Sequence, residues 1–509
     1  MKIIGIIAEY NPFHNGHAYQ IEEIRRRTQA DYIVVAMSGD FVQRGAPAIV
    51  DKYARTKMAL SCGADLVIEL PVLWATASAE NFAAAGVALF EKIGCVDGIC
   101  FGAECENLSL LSEIADILAE EPSAYRAALS SYIKEGLTFP QARAKALSES
   151  VPTPPKTGSA LKNTFSESAS LTQSELAKIL VSPNNILAIE YLKAIRRQDS
   201  SLTPYLIKRE GAGYHDTEIH DDSHIFQDDA DAVRGTIGAV NSVLSLTSAS
   251  VVTPAASATA IREALAAAAS DSLSANPATA IRETLAAASS DSLSAKLAAA
   301  MPAPALSVLT NYLSQMPAVW IDDFSPLLGY LLLSATPGEL ASCGDCNMDI
   351  ANRLSKNLFS YRSVSQFCEL NKSRDITYTR MSRILLHLLL HIQSADYAAG
   401  KAQGYIPYLR ILGFRRDSSA LLGELKRRAA VPVISKLADA KRLLAKTSCT
   451  MQERTADTLS KQASCAMHKS YATALLDLDI FAADLYEQIA SQKKGTTPRS
   501  EYTREIVRI

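Results

Sequence analysis

At 509 residues the chain is too long for one compact core and corresponds to roughly three domain-sized units of about 150 residues each. With 48% hydrophobic and 21% charged residues it has the composition of a globular protein, which excludes disorder throughout. The formal net charge of -3, from 51 Lys and Arg against 54 Asp and Glu, shows no bulk basic excess, although such a total can hide regions of opposite sign.

No apolar run reaches the about 18 residues a membrane helix needs, and Leu385–Leu390 is broken by His387, so no membrane span is predicted. Met1–Ile7 is too short for a signal peptide before Glu9, and no small-residue cleavage site follows. It is read as a first strand, and the protein as cytoplasmic. Nine cysteines at irregular spacing fit free thiols in a reducing compartment. Cys343-Gly-Asp-Cys346 has no second pair at zinc-ligand spacing, so it is read as a loop and no metal ligands are assigned.

In chain order, Lys2–Ala8 is an apolar, β-branched strand and Gly16–Arg27 has helical spacing. Tyr32–Met37 is a second strand and Asp51–Ser61 a second helix. Leu66–Leu70 and Gly98–Phe101 repeat the strand signal around a helix at Glu80–Lys92. Short, fully apolar strands alternating with such helices predict a doubly wound parallel sheet covered on both faces, an α/β, Rossmann-like arrangement. Leu108 to about Ser148 is helical. Ser182-Pro183 opens another helix to Arg197, Ser as N-cap and Pro at the first position. Thr203–Lys208 is a fifth strand, ending at Arg209.

The segment 221–256 is acidic at its start and then weakly patterned. A tandem duplication follows: Ala258–Leu265 returns as Ala278–Leu285, and Ser270–Ala275 as Ser290–Ala295. One repetition is too little for a solenoid. From about Met301 the strand pattern disappears, and Leu306–Met316, Ser325–Leu333, Met348–Phe359, Tyr378–Ile392, Ser419–Arg428, Ile434–Leu444 and Tyr471–Ser491 read as helices. The predicted plan is an α/β domain over 1–220, an insert over 221–256, a helix and its duplicate over 257–300, and an all-α C-terminal domain over 301–509.

Chemistry concentrates at Glu9-Tyr10-Asn11-Pro12-Phe13-His14-Asn15-Gly16-His17, between the first strand and the first helix. His-x-Gly-His at such a turn sets two imidazoles and the helix N-terminal amides around one point, and glycine lets a phosphate approach the backbone. That suits a nucleoside triphosphate: the imidazoles donate hydrogen bonds to α-phosphate oxygens in the transition state, and neither acts as nucleophile. His14 and His17 are therefore the candidate catalytic pair for adenylyl transfer with loss of pyrophosphate; the bland alternative is a helix cap. A Ser/Thr-bearing turn before an arginine helix would grip the triphosphate tail, and Ser257-Ala-Thr-Ala-Ile-Arg262 fits, with Ser257, Thr259 and Arg262 as contacts. The duplicate has Pro277 in place of the serine, so the first copy is preferred over it, with an Ala-rich surface helix as the plain alternative.

Together, Ile7–His17, Met37-Ser-Gly-Asp-Phe-Val-Gln-Arg-Gly45, Phe101-Gly-Ala-Glu104, Ser182-Pro-Asn-Asn-Ile186, Ile207-Lys-Arg209, Gly211–Asp216 and Ser257–Arg262 resemble the motifs of the bacterial tRNA(Met) cytidine acetate ligases, within the HxGH nucleotidyltransferase-like superfamily. The likeness continues through Tyr378-Thr-Arg-Met-Ser-Arg383 and Tyr408–Phe414 and omits about 221–256 and the duplicated repeat. The resemblance implies an enzyme that uses ATP with Mg2+ to activate acetate and acetylates N4 of the wobble cytidine of elongator tRNA(Met). It implies ATP contacts at Ile7, Ala8, Glu9, Tyr10, Asn11, Pro12, Phe13, His14, Asn15, Gly16, His17, Ala18, Tyr19 and Gln20, at Gly102, at Asn184 or Asn185, and at Arg209. Asp40, Gln43 and Arg44 follow the second strand and face the same crevice; Arg44 is a candidate for holding acetate, or for a salt bridge with Asp40. His215, in Tyr214-His215-Asp216, is a candidate acid/base group on the acceptor side, or part of a turn. The insert and the duplication depart from the family pattern beside the phosphate-gripping element. Two other readings stay open: a small-molecule adenylyltransferase, which leaves the helical half unexplained, and a non-catalytic, ATP-sensing RNA-binding protein.

The near-neutral total does hide a basic stretch. Residues 351–450 carry 18 Lys and Arg against 6 Asp and Glu. Tyr361, Tyr378, Tyr405 and Tyr408 interleave there with arginines, of which Arg380, Arg383, Arg410, Arg415 and Arg416 are the candidate tRNA contacts. A solvated helical surface is the alternative, and no obligatory protein partner is evident.

Overall fold

The computed structural model describes residues 1–137, 139–150, 173–209, 257–270, 293–452 and 458–509. The insert at 221–256, the second repeat copy with Pro277, and Tyr214, His215 and Asp216 lie outside the described residues.

All five predicted strands form. β1 (Ile3–Ala8), β2 (Tyr32–Ser38), β5 (Leu66–Leu70), β6 (Gly98–Ala103) and β7 (Thr203–Lys208) lie in one sheet in the order β5-β2-β1-β6-β7, every neighbouring pair parallel. A short antiparallel hairpin, β3 (Phe41–Val42) and β4 (Ala46–Pro47), follows β2. The chain winds outward from β1 to β2 and β5, then crosses back to β6 and β7. The order reverses between β1 and β6, and the crevice at the carboxyl ends there is the usual ligand position in open parallel sheets.

Each face of the sheet carries its own apolar core. On one, Ile6, Phe13, Ile24, Met58, Ile261 and Leu309 are buried beneath the helices Asn15–Thr28, Lys52–Ser61, Ala258–Ser270 and Ala303–Gln315. On the other, Trp74, Phe90, Ile189, Leu385 and Tyr486 lie under Ala79–Ile93, Pro183–Arg197, Tyr378–Leu389 and Thr458–Lys494. Ser182 precedes its helix with Pro183 at the first turn, as the sequence suggests, but its hydroxyl donates to Lys178 O and does not cap. Among the described residues no helix is long and apolar enough to cross a membrane.

The C-terminal region is helical, with a difference from the all-α expectation: it returns three strands to the N-terminal sheet. β8 (Leu409–Phe414) lies antiparallel against β5, and β9 (Val433–Ile434) and β10 (Val507–Arg508) pair with β8. The strand at Leu409–Phe414 was masked by Arg410, which reads as a surface cation. In register it opposes Glu69 of β5, their charged atoms 2.9 Å apart, and both are buried. Lys52 joins them, its Nζ 2.8 Å from Glu69 Oε1 and 2.7 Å from Glu501 Oε1; Arg410 Nη2 lies 2.5 Å from the same Glu501 oxygen. Burial works against the Glu501 charge, yet Lys52 and Arg410 bring its carboxyl down to about 2. The cluster ties Glu501 to Lys52 and Arg410, and the two halves share a core.

Candidate active site

A cleft of 220 Å³ opens at the carboxyl ends of β1, β6 and β7. Its floor is the turn after β1. There Tyr10 takes φ 49°, and the Asn11–Pro12 peptide is cis. Asn11 Oδ1 accepts from Ile49 N (2.9 Å), and Asn11 O accepts from Arg262 Nη1 (2.7 Å). His14 caps the Asn15–Thr28 helix: its Nδ1 accepts from Gly16 N (3.1 Å), while His17 Nδ1 accepts from His14 N (3.2 Å). A methyl at Gly16 would sit 2.9 Å from His14 Cε1, so glycine is required for the ring to fold back. The two imidazoles lie 3.7 Å apart, centroid to centroid.

This arrangement fixes the tautomers. With each Nδ1 accepting a backbone N–H, the proton of each neutral ring resides on Nε2, and both residues line the cleft. Burial first, then Arg209 and Arg262, pushes His14 down to about 3; burial, His14 and Arg209 push His17 well below its ordinary value. The site thus holds two neutral donors side by side rather than an imidazolium.

Cations surround them. Arg44, Lys208, Arg209 and Arg262 line the cleft against one lining carboxylate, Glu9, among the described residues. Arg262 Nη2 also donates to Thr259 Oγ1 (3.0 Å), and Ser257 Oγ caps its helix by accepting from Ala260 N (3.1 Å); Ser257, Ala258 and Thr259 at this helix N-terminus line the same cleft as the histidines. Asn184 and Asn185 divide their work. Asn184 lines the cleft, its Nδ2 donating to Glu104 Oε1 (2.6 Å) and its Oδ1 accepting from Arg209 Nη1 (3.4 Å). Asn185 Oδ1 accepts from Glu104 N and Cys105 N and secures the turn after β6. Gly102 keeps that exit narrow: a methyl there would sit 3.2 Å from Arg209 Cγ.

Of the loop Ile7–Gln20, Ile7, Ala8, Glu9, Tyr10, Asn11, His14, Gly16, His17, Tyr19 and Gln20 line the cleft, whereas Pro12, Phe13, Asn15 and Ala18 do not. Phe13 is fully buried against the Tyr10 and His17 rings, and Asn15 Nδ2 donates to Ala299 O (2.7 Å). Of the residues that follow β2, Gln43 and Arg44 line the cleft. Asp40 does not: it is buried, its Oδ1 accepts from Lys52 N (2.7 Å), and burial raises its carboxyl to about 7. Phe82, Leu187 and Tyr191 form an apolar wall that sequence reasoning passed over as core positions of helices.

The basic stretch is corrected in part. Arg410 is buried in the charge cluster and Tyr408 is buried, its hydroxyl donating to Asp479 Oδ2 (2.6 Å); neither can reach an RNA. Arg380 donates twice to Asp345 O, and Arg383 is 11% exposed and donates to Asp345 Oδ2 (2.6 Å). Arg415 pairs with Asp417, and Arg416 is exposed. The helix carrying Arg380 and Arg383 does reach the active site, because Ser382 Oγ donates to Gly45 O (2.8 Å), one residue beyond Arg44.

A parallel sheet with a His-x-Gly-His turn, a cationic cleft and a second helix N-terminus facing it define a nucleotidyl transferase of the HIGH type, and the HIGH Nucleotidyl Transferase family model matches residues 1–266 and 242–501. The chain is 35% identical over 448 residues to a tRNA(Met) cytidine acetate ligase from Thermoanaerobacter sp. (strain X514), covering 88% of this chain and 92% of that one. It is 33% identical over 508 residues, the full length of both chains, to that of Acetivibrio thermocellus. Among solved structures, Thermotoga maritima TmcAL bound with alpha-thio ATP superposes with a TM-score of 0.74 at 23% identity, over all of both chains, which shows the shared fold. The protein belongs to the tRNA(Met) cytidine acetate ligase family and is an enzyme.

Proposed function

We propose that the chain activates acetate with ATP and acetylates N4 of the wobble cytidine of elongator tRNA(Met). The observation that carries this reading is the pair of imidazoles, each with Nδ1 occupied by a backbone N–H, that line a cleft with four cations. ATP lies with its α-phosphate at His14 and His17, its β- and γ-phosphates at Ser257, Thr259 and Arg262, and its nucleoside toward Gly102, Asn184 and Arg209. Glu9 would hold Mg2+ directly or through water; such an ion neutralises phosphate charge.

An acetate oxygen attacks the α-phosphorus while the bond to the bridging oxygen breaks and pyrophosphate leaves. Charge grows on the non-bridging oxygens, and His14 and His17 meet it with donors already in place. Arg44 holds the acetate carboxylate. The cytidine N4 amine then attacks the acyl carbon, the bond to AMP breaks, and the amine loses a proton. The Arg380 end of its helix supports RNA docking beside the Arg44 hairpin, whereas the half-buried Arg415 and the exposed Arg416 follow β8 at the opposite end of the sheet, where Arg415 N donates to Asp65 O. Enzyme, labelled acetate, Mg-ATP and tRNA are incubated together; label in N4-acetylcytidine is the expected result, and none in RNA under any condition would overturn the reading.

A further inference from the structure

Arg55, in the Lys52–Ser61 helix, is fully buried, and it spends its guanidinium on backbone carbonyls. Nε donates to Val50 O (3.1 Å), Nη1 to Glu9 O (2.6 Å) and Ser38 O (3.0 Å), and Nη2 to Gly39 O. Glu9 follows β1, Ser38 and Gly39 lie at the exit of β2, and Val50 precedes the helix itself. One exit carries Glu9 into the cleft; the other leads into the hairpin that carries Gln43 and Arg44. The two loops also touch each other, Gln43 N donating to Glu9 Oε1 (3.0 Å).

The hairpin is pinned at its tip as well. Gly45 takes φ 77°, and a methyl there would fall 2.4 Å from Arg383 N, so only glycine lets the tip lie against the Tyr378–Leu389 helix, where Ser382 holds its carbonyl. By contrast, apart from the Glu9 turn itself, the side chains assigned to the ATP phosphates and nucleoside are anchored elsewhere: the histidines by their own cap, Arg209 directly after β7, Arg262 on the Ala258–Ser270 helix.

We propose that Arg55 is a positioning residue that sets the spacing between the Glu9 loop and the Gln43–Arg44 hairpin, and so governs the acid substrate while leaving ATP binding largely intact. This rests on the acetate-activating reading above. A planar fork spanning two strand exits has no lysine equivalent, because an ammonium cannot present three coplanar donors.

The test compares the full-length protein with Arg55→Lys and Arg55→Ala in three measurements: acetate-dependent ATP–pyrophosphate exchange, equilibrium binding of a non-hydrolysable ATP analogue, and amide hydrogen exchange. In Arg55→Lys the acetate KM rises about tenfold while analogue affinity changes by less than about threefold, and amides of 9–11 and 39–45 exchange faster. Millimolar guanidinium partly restores Arg55→Ala. Wild-type acetate KM and loop protection in Arg55→Lys would overturn the proposal; so would parallel loss of ATP affinity, acetate KM and melting temperature with no guanidinium rescue. If the wild-type protein shows no acetate-dependent exchange, the acetate reading fails, and the amide exchange still decides whether Arg55 holds the two loops.

Discussion

Replacing His17 separates two tasks that its ring performs at different atoms. Its Nδ1 accepts from His14 N at 3.2 Å and completes the helix cap, while its Nε2–H is the donor assigned to the α-phosphate. Loss of one such donor typically costs about 10²–10³ in rate. Loss of the buried acceptor costs about 1 kcal/mol of stability. The ring also packs on Tyr10 at 4.7 Å and Phe13 at 5.4 Å, contacts worth about 0.5–1.5 kcal/mol each. His17→Ala therefore loses both activity and stability. In His17→Asn the amide oxygen stands near the Nδ1 position, so the cap survives and the donor does not: the melting temperature stays closer to wild type while acetate-dependent pyrophosphate exchange falls by about two to three orders of magnitude. His17→Gln restores a donor near the Nε2 position and recovers part of the rate. Exchange by His17→Asn within about threefold of wild type would refute the donor assignment.

Arg262→Ala removes charge from the phosphate side and frees Asn11 O; ATP-analogue affinity falls by about 1.5–3 kcal/mol, read by calorimetry. Arg410→Met leaves Glu69 and Glu501 buried without their guanidinium partner, so chemical denaturation shows a loss of about 3–5 kcal/mol, while tRNA affinity of the folded protein is unchanged. Gly45→Ala forces a side chain into φ 77° against Arg383 N and lowers stability by about 1–3 kcal/mol in the same assay. For pH, the unfolded imidazoles take up protons below about 6.5, whereas folded His14 does so only at about 3 and folded His17 well below its ordinary value. At these two sites the unfolded state thus binds more protons in that window, which lowers stability as pH drops below 6.5. Glu501, held at about 2, adds a loss of the same sign below 4.5. Asp40 and Asp479, each raised to about 7 by burial, act in the opposite sense, favouring the folded state as pH falls toward 4. A melting temperature that rises steadily from pH 6.5 to 4 would contradict the balance.

Much of the site was legible because its residues are local. The His-x-Gly-His turn and the Ser257–Arg262 turn each lie within nine residues or fewer, and a βα turn or a helix N-terminus dictates where such side chains and amides point. The split between Asn184 and Asn185 was not legible, because helix phase alone leaves two adjacent residues undecided until Glu104 is placed between them. Asp40 and Arg410 were misread for one reason: charged side chains are assigned to the surface unless a partner distant in sequence is known, and theirs are Lys52, Glu69 and Glu501. Arg55 left no motif, since its partners are carbonyls.

By itself the sequence determined the parallel sheet, its helices and the two turns that line the cleft, because apolar periodicity and capping act over a few residues. Only the tertiary structure decided that the helical half returns three strands to the sheet, and that its Ser382 clasps the hairpin bearing Arg44. Pairing between residues hundreds of positions apart is set by burial and complementary charge in the assembled core, and nothing in the local pattern of either partner records it.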